Sequence, residues 1–288
     1  CMDIKPYVKG IEKQNLNVEG VIVYQHGREI ARHRWIPEQP RHVWSVSKSF
    51  ASIAIGMAID EGKLRLSDKV VRVLNRKKRE PRWNALTLEH LLTMTMGHVD
   101  EERPENLDGL LSLEISRDPG TYYFYDSGCS HLASAMFTKV MGVKIRDFLL
   151  DRLFRPLGIP DPDWDESVDG FTLGGYGLKI STSSMALFGQ FLLQRGNWQG
   201  KQLVSAAWID RATRTQVQTM PTQDAPDYNI GYGYQFWTCR HGAYRCDGKD
   251  GQFVVVIPSL DAVVAISSND ENMKPILWAV WDHIFPQL

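Results

Sequence analysis

The chain has 288 residues, 43% of them hydrophobic and 23% charged, and a formal net charge of −1. That apolar content suffices for a large core, in one big domain or two intertwined ones. No basic block interleaved with aromatics marks a nucleic-acid surface, and no apolar run reaches the roughly 20 residues of a membrane span.

The one basic run, Arg76-Lys77-Lys78-Arg79, is flanked by Glu80 and Pro81 and reads as a solvated loop. The four cysteines are Cys1, Cys129, Cys239 and Cys246. They lack C-x-x-C spacing and a histidine ladder, so neither a metal site nor a cofactor is expected. Such sparse use fits a reducing, cytoplasmic compartment. Cys1, before Met2, reads either as a lipid-anchor residue or as a non-native remnant, and the lack of a secretory feature favours the remnant. Cys239 and Cys246 fall on adjacent predicted strands, where they could face each other as free thiols.

In chain order, residues 11–18 are helix-compatible, and Gly20 to Tyr24 and Glu29 to Trp35 form a strand pair around the turn at Gln25 to Arg28. A helix opens at Ser45 and stops at Glu61-Gly62. The middle of the chain reads as mostly helical: Thr87 caps one helix, Leu107 to Ile115 is short, and Ser127 to Val140 and Ile145 to Phe154 follow. Gly174-Gly175-Tyr176-Gly177 is a turn whose backbone must bend or approach something closely. Ser181 to Gln194 and Ser205 to Thr213 are amphipathic helices. The last third turns to strands at Tyr232 to Thr238, Ala243 to Cys246, Gln252 to Ile257 and Ala262 to Ser267, before a closing helix from Met273 to Phe285. Strands at both ends around a helical middle predict an α+β fold: one antiparallel sheet built from both chain ends, flanked by helices, with a mostly helical insertion. The boundaries predicted are 1–64 plus 191–288 for the sheet domain and 65–190 for the insertion.

The informative stretch is Ser45-Val46-Ser47-Lys48. On a helix, residues three apart share a face, so the Ser45 hydroxyl and the Lys48 amine can meet. A serine becomes a nucleophile only when a base takes its proton, and a desolvated lysine can be that base. The helix N-terminus favours a neutral lysine and a developing oxyanion. The following residues, Ala51 to Ile59, are apolar nearly all round, which marks a buried helix and makes a lysine in its first turn unusual. Tyr122-Tyr123-Phe124-Tyr125-Asp126-Ser127 adds a second candidate. Alternation turns Tyr123 and Tyr125 away from Tyr122 and Phe124, and a phenol of depressed pKa beside a lysine would serve as a general base. His98 reads as a loop-structuring histidine rather than a rim residue.

These motifs, with Leu91-Leu92-Thr93-Met94-Thr95-Met96-Gly97-His98, the glycine turn at 174–177 and Gly251-Gln252-Phe253 to Pro258, occur in one order over residues 20 to 270. The set resembles the serine β-lactamase and penicillin-binding-protein superfamily, nearest its class C β-lactamase, esterase and 6-aminohexanoate-oligomer hydrolase branch. The resemblance implies Ser45 as the acylated nucleophile, Lys48 as its activator and Tyr125 as the proton-exchanging tyrosine of a Y-x-N motif. Ser127 stands where that motif has asparagine and would bind substrate through one hydrogen bond. A gap-free count back from Gly251 puts Ala243-Tyr244-Arg245 at the family's K-T-G, while Lys249-Asp250-Gly251 looks like K-T-G but falls in a turn. With 243–246 as the edge strand, the backbone N–H groups of Ser45 and Cys246 are the expected oxyanion donors. The expected activity is a metal-free serine hydrolase forming an acyl-enzyme on a small ester, amide or lactam. The alternatives are a penicillin sensor that acylates without turnover and a non-catalytic scaffold.

Overall fold

The computed structural model describes residues 2–77, 80–219 and 226–288. A seven-stranded antiparallel sheet is made of β1 (Val18–Gln25), β2 (Arg28–Arg34), β3 (Gly231–Tyr232), β4 (Trp237–Thr238), β5 (Tyr244–Gly248), β6 (Gln252–Ile257) and β7 (Ala262–Ser268), in the order β2-β1-β7-β6-β5-β4-β3. Both chain ends therefore meet in one sheet: β1 pairs with β7 from Val18↔Ser268 to Gln25↔Ala262. Every residue of β6 and β7 is buried, with Val254, Val255 and Val256 facing Val263, Val264 and Ala265 across the pair. Burial on both faces is why these strands read as continuous apolar segments rather than as alternating ones.

Five helices position the site around this sheet: α1 (Lys5–Lys13), α2 (Val46–Asp60), α3 (Ser127–Met141), α4 (Thr182–Leu193) and α5 (Lys274–Ala279). On one face α1 and α5 enclose a core of Tyr7, Ile11, Val21, Phe253, Val255 and Trp281. On the other, α2 and α4 cover the sheet and join it to the helical region around α3. From Val46 to Ala58 every residue of α2 is buried, so this helix is the central post between the two halves. None of the helices among the described residues is long and apolar enough to cross a membrane.

Several element boundaries differ from the sequence reading, for local reasons. The first helix is Lys5–Lys13, not 11–18; Asn15 takes a left-handed φ of 54° and turns the chain into β1. The expected single strand from Tyr232 to Thr238 is a hairpin, because Gln235 has φ 73° and Gly233 N–H bonds Phe236 O at 2.8 Å. The helix expected at 145–154 passes into a π-turn at Leu150–Phe154. The helix α4 packs across β1, β6 and β7. Cys239 and Cys246 are free and do not face each other, since each belongs to a different core. Arg76 pairs with Asp108 at 2.9 Å, while Lys78, Arg79 and Cys1 lie outside the described residues.

Candidate active site

Three segments distant in sequence converge at the start of α2. Ser45 occupies the N-cap position, yet its side chain makes no capping bond. The hydroxyl is instead 2.9 Å from Lys48 Nζ. Lys48 also donates to Ser127 Oγ at 3.0 Å and to Gly175 O at 2.8 Å. All three ammonium positions thus have acceptors, and the side chain is only 1% exposed. Burial lowers the Lys48 pKa to about 7, partly offset by Asp126, Cys129 and Asp247. A substantial fraction of this amine is neutral at physiological pH, which is what a base needs.

The flanking chain explains the placement. Trp44 has a φ of 49°, a strained value for a bulky residue, and it stacks on His42 at 5.2 Å between ring centroids. Ser47 Oγ accepts the Leu178 N–H at 3.1 Å, tying α2 to the strand that follows the glycine turn. That turn needs its glycines: a Cβ on Gly174 would lie 2.1 Å from Ser130 O on α3. The close approach delivers the Gly175 carbonyl to Lys48. Asp126 caps α3 by accepting the Gly128 N–H at 2.8 Å, and this fixes Ser127 one residue later.

Tyr125 lies between Lys48 and an aromatic wall. Lys48 Nζ is 4.7 Å from its ring centroid, and the ring stacks on Trp237 at 5.6 Å and meets Tyr232 edge-on at 6.1 Å. Burial raises the phenol pKa, and a hydrogen bond with Ser45 opposes this only in part. The expected depressed phenol is therefore corrected: Tyr125 stays protonated at neutral pH, because desolvation outweighs the Ser45 hydrogen bond and the Arg245 charge. Alternation along the loop is as expected, with Tyr123 turned toward Tyr232 and Trp237, Tyr122 under Arg117 and Phe124 near Arg103. His98 is buried and joins its loop to Glu114 O at 2.8 Å, away from Ser45.

A cleft of about 580 Å³ reaches Ser45 and is lined by Tyr125, Tyr228, Trp237, Asp247 and Lys249, with residues 271–274 on its other rim. This overturns the gap-free strand count. Ala243 and Tyr244 line a separate cavity with Leu192 and Thr238, and Arg245 is fully buried. The strand meets α2 three residues later, where Cys246-Asp247-Gly248 stand. A Cβ on Gly248 would lie 2.2 Å from Val43 O, two residues ahead of Ser45.

The same register corrects Cys246. Ala243 O accepts the Cys239 N–H at 2.8 Å, so Ala243 aims its backbone groups at the β4 side. Successive residues of a strand alternate, and the pairings Trp237↔Arg245 and Val254↔Cys246 keep that register. The Cys246 N–H therefore points into the sheet toward β6. Asp247 and Lys249 point the other way, along an edge that β4, beginning at Trp237, leaves uncovered. Sequence reasoning passed over Asp247 and set Lys249 aside as a turn residue. It also missed His131, which accepts the Gly175 N–H at 3.2 Å and is held neutral by burial, with its pKa lowered to about 3.

The family model described as Beta-lactamase matches residues 8–279. The chain belongs to the beta-lactamase family. That family is typically one of serine hydrolases. A Beta-lactamase of Escherichia coli strain K12 is 28% identical over 167 residues, covering 51% of this chain and 43% of that one; the chain thus matches less than half of that relative's length. Among solved structures, a candidate 6-aminohexanoate-dimer hydrolase from Bacillus anthracis superposes with a TM-score of 0.77 at 18% identity, over 95% of this chain and 79% of the other. A penicillin-binding protein homologue from Caulobacter crescentus gives 0.78 at 16% identity, over 100% and 99%. At these identities the two structures share this beta-lactamase-family fold.

Proposed function

We propose that the protein is a serine hydrolase that works through an acyl-enzyme on small esters or amides. The observation that carries this reading is the buried Lys48, hydrogen-bonded to the Ser45 hydroxyl, with its pKa brought to about 7. Ser45 Oγ attacks the substrate carbonyl carbon as its proton passes to neutral Lys48. The N–H of Ser45, at the head of α2, and the N–H of Lys249, just past the uncovered edge of β5, receive the oxyanion. Collapse breaks the bond to the leaving group, which takes its proton from Lys48 through the Tyr125 hydroxyl. Ser127 keeps Lys48 in line with Ser45. Water then attacks the carbonyl carbon of the Ser45 ester, giving a proton to the same Lys48–Tyr125 pair; collapse breaks the bond to Ser45 Oγ, Lys48 returns that proton to the serine oxygen, and the acid departs. With its phenol held protonated, Tyr125 acts as a relay, and Lys48 is the base.

The testing experiment is intact-protein mass spectrometry after incubation with 4-nitrophenyl esters, a cephalosporin and a fluorophosphonate. A Ser45 adduct, with multiple turnovers on at least one ester, is the expected result. An adduct that persists without turnover would make the protein an acylated sensor, and a lack of any adduct would make it a scaffold.

A pH profile tests the base. Lys48 is active when deprotonated, so kcat/KM for a neutral ester rises with pH and levels off above a midpoint near the Lys48 pKa of about 7. Because the Tyr125 pKa is raised, no descending limb from the phenol appears below about pH 10. A profile flat from about pH 5.5 to about pH 9 would remove Lys48 from the base role.

A further inference from the structure

Asp247 lines the same cleft as Ser45 and Tyr125. Its side chain is only 10% exposed and is held rigidly, accepting from Arg245 Nε at 2.8 Å and from Tyr228 OH at 2.8 Å on the same oxygen, Oδ2. Arg245 is itself fixed from behind by Asp227 O and by the Cys239 sulfur, and lies over the rings of Tyr228 and Trp237. The carboxylate is thus on the cleft side of the pair and the guanidinium on the core side. The cleft's two lysines are placed differently. Lys249 Nζ sits 5.2 Å from the Trp44 ring centroid, and Lys274 Nζ is 5.8 Å from that of Tyr228. Glu271 shares the rim with them. Of these charges, the carboxylate of Asp247 is the one held in a largely buried position beside the nucleophile, where screening by solvent is weakest.

We infer that Asp247 sets the substrate class, rejecting acyl compounds that carry an anion beside the scissile carbonyl and accepting those that present a neutral hydrogen-bond donor or a cation there. A substrate carboxylate entering this cleft meets a fixed like charge, with its own hydration lost. A carbamoyl N–H or an ammonium group finds an acceptor already oriented. The inference rests on the serine hydrolase reading and adds to it a rule of selection: the substrates are neutral or cationic esters and amides.

The test uses two matched ester pairs, each normalised to its rate with hydroxide. In one, the phenol ring of an acetate ester bears a meta carboxylate or a meta carbamoyl group. In the other, the far end of a 4-nitrophenyl acyl chain bears the same two groups. The carbamoyl member should have the higher normalised kcat/KM by at least ~10-fold in one or both pairs. Asp247→Asn should shrink that ratio by at least ~10-fold. Since that variant leaves Arg245 as a lone buried cation, the double variant Arg245→Met, Asp247→Thr removes both charges at once and should shrink the ratio in the same direction. The inference is overturned by an unmodified protein that treats both members of both pairs alike, or by a folded variant of either kind that keeps the full ratio. If no ester is turned over at all, the hydrolase reading fails first, and the two failures are told apart.

Discussion

Ser45→Ala is expected to abolish fluorophosphonate labelling and to lower kcat/KM for a neutral 4-nitrophenyl ester by at least ~10³-fold, as loss of a nucleophile does when its partners act as a unit. The fold should survive. Lys48 keeps two of its three acceptors, Ser127 Oγ and Gly175 O, so the lost hydroxyl costs on the order of 1 kcal/mol. The measurement is tandem mass spectrometry of the labelled peptide, together with a thermal melt. The informative rival is Ser127, which also touches Lys48: label carried by Ser127 in the unmodified protein would move the nucleophile to α3.

Lys48→Arg should lower kcat by at least ~10²-fold, the lower end of what general-base catalysis supplies. The guanidinium cannot release a proton near neutral pH, and its planar fork does not match three acceptors grouped around one ammonium. The ascending limb of the pH profile should vanish along with the rate, which separates loss of a base from mere crowding. Circular dichroism checks that the variant is folded, since the site is 1% exposed and the new side chain is larger. A folded Lys48→Arg protein with near-normal kcat would make the lysine structural.

Much of the site was legible because its signals are local. Ser45 and Lys48 share a helix face, α2 declares its burial by being apolar on all sides, and Asp126 and Ser127 sit at a helix start that any capping rule finds. The glycine turn announced a close approach, though not that its carbonyl would hold Lys48. The register of β5 was not legible. Nothing in Ala243 to Gly248 says which end of the strand meets α2; that is fixed by the contact of Gly248 with Val43 across the fold. The ionisation of Tyr125 was misread for a related reason. A nearby lysine is visible in sequence, whereas the enclosing rings of Tyr232 and Trp237, more than 100 positions away, are not. Asp247 escaped notice because its partner Tyr228 lies on a loop with no pattern of its own.

The convergence of distant segments on Lys48 has a consequence for the order in which the protein comes into being. Lys48 contacts a residue 79 positions downstream and another 127 positions downstream, and the cleft is completed by β5 and the turn after it. Contacts of such separation form late, because long loops must close first. During synthesis the serine emerges early and the edge strand emerges near the end. A nascent chain therefore carries Ser45 and Lys48 for most of translation without the burial that lowers the lysine's pKa.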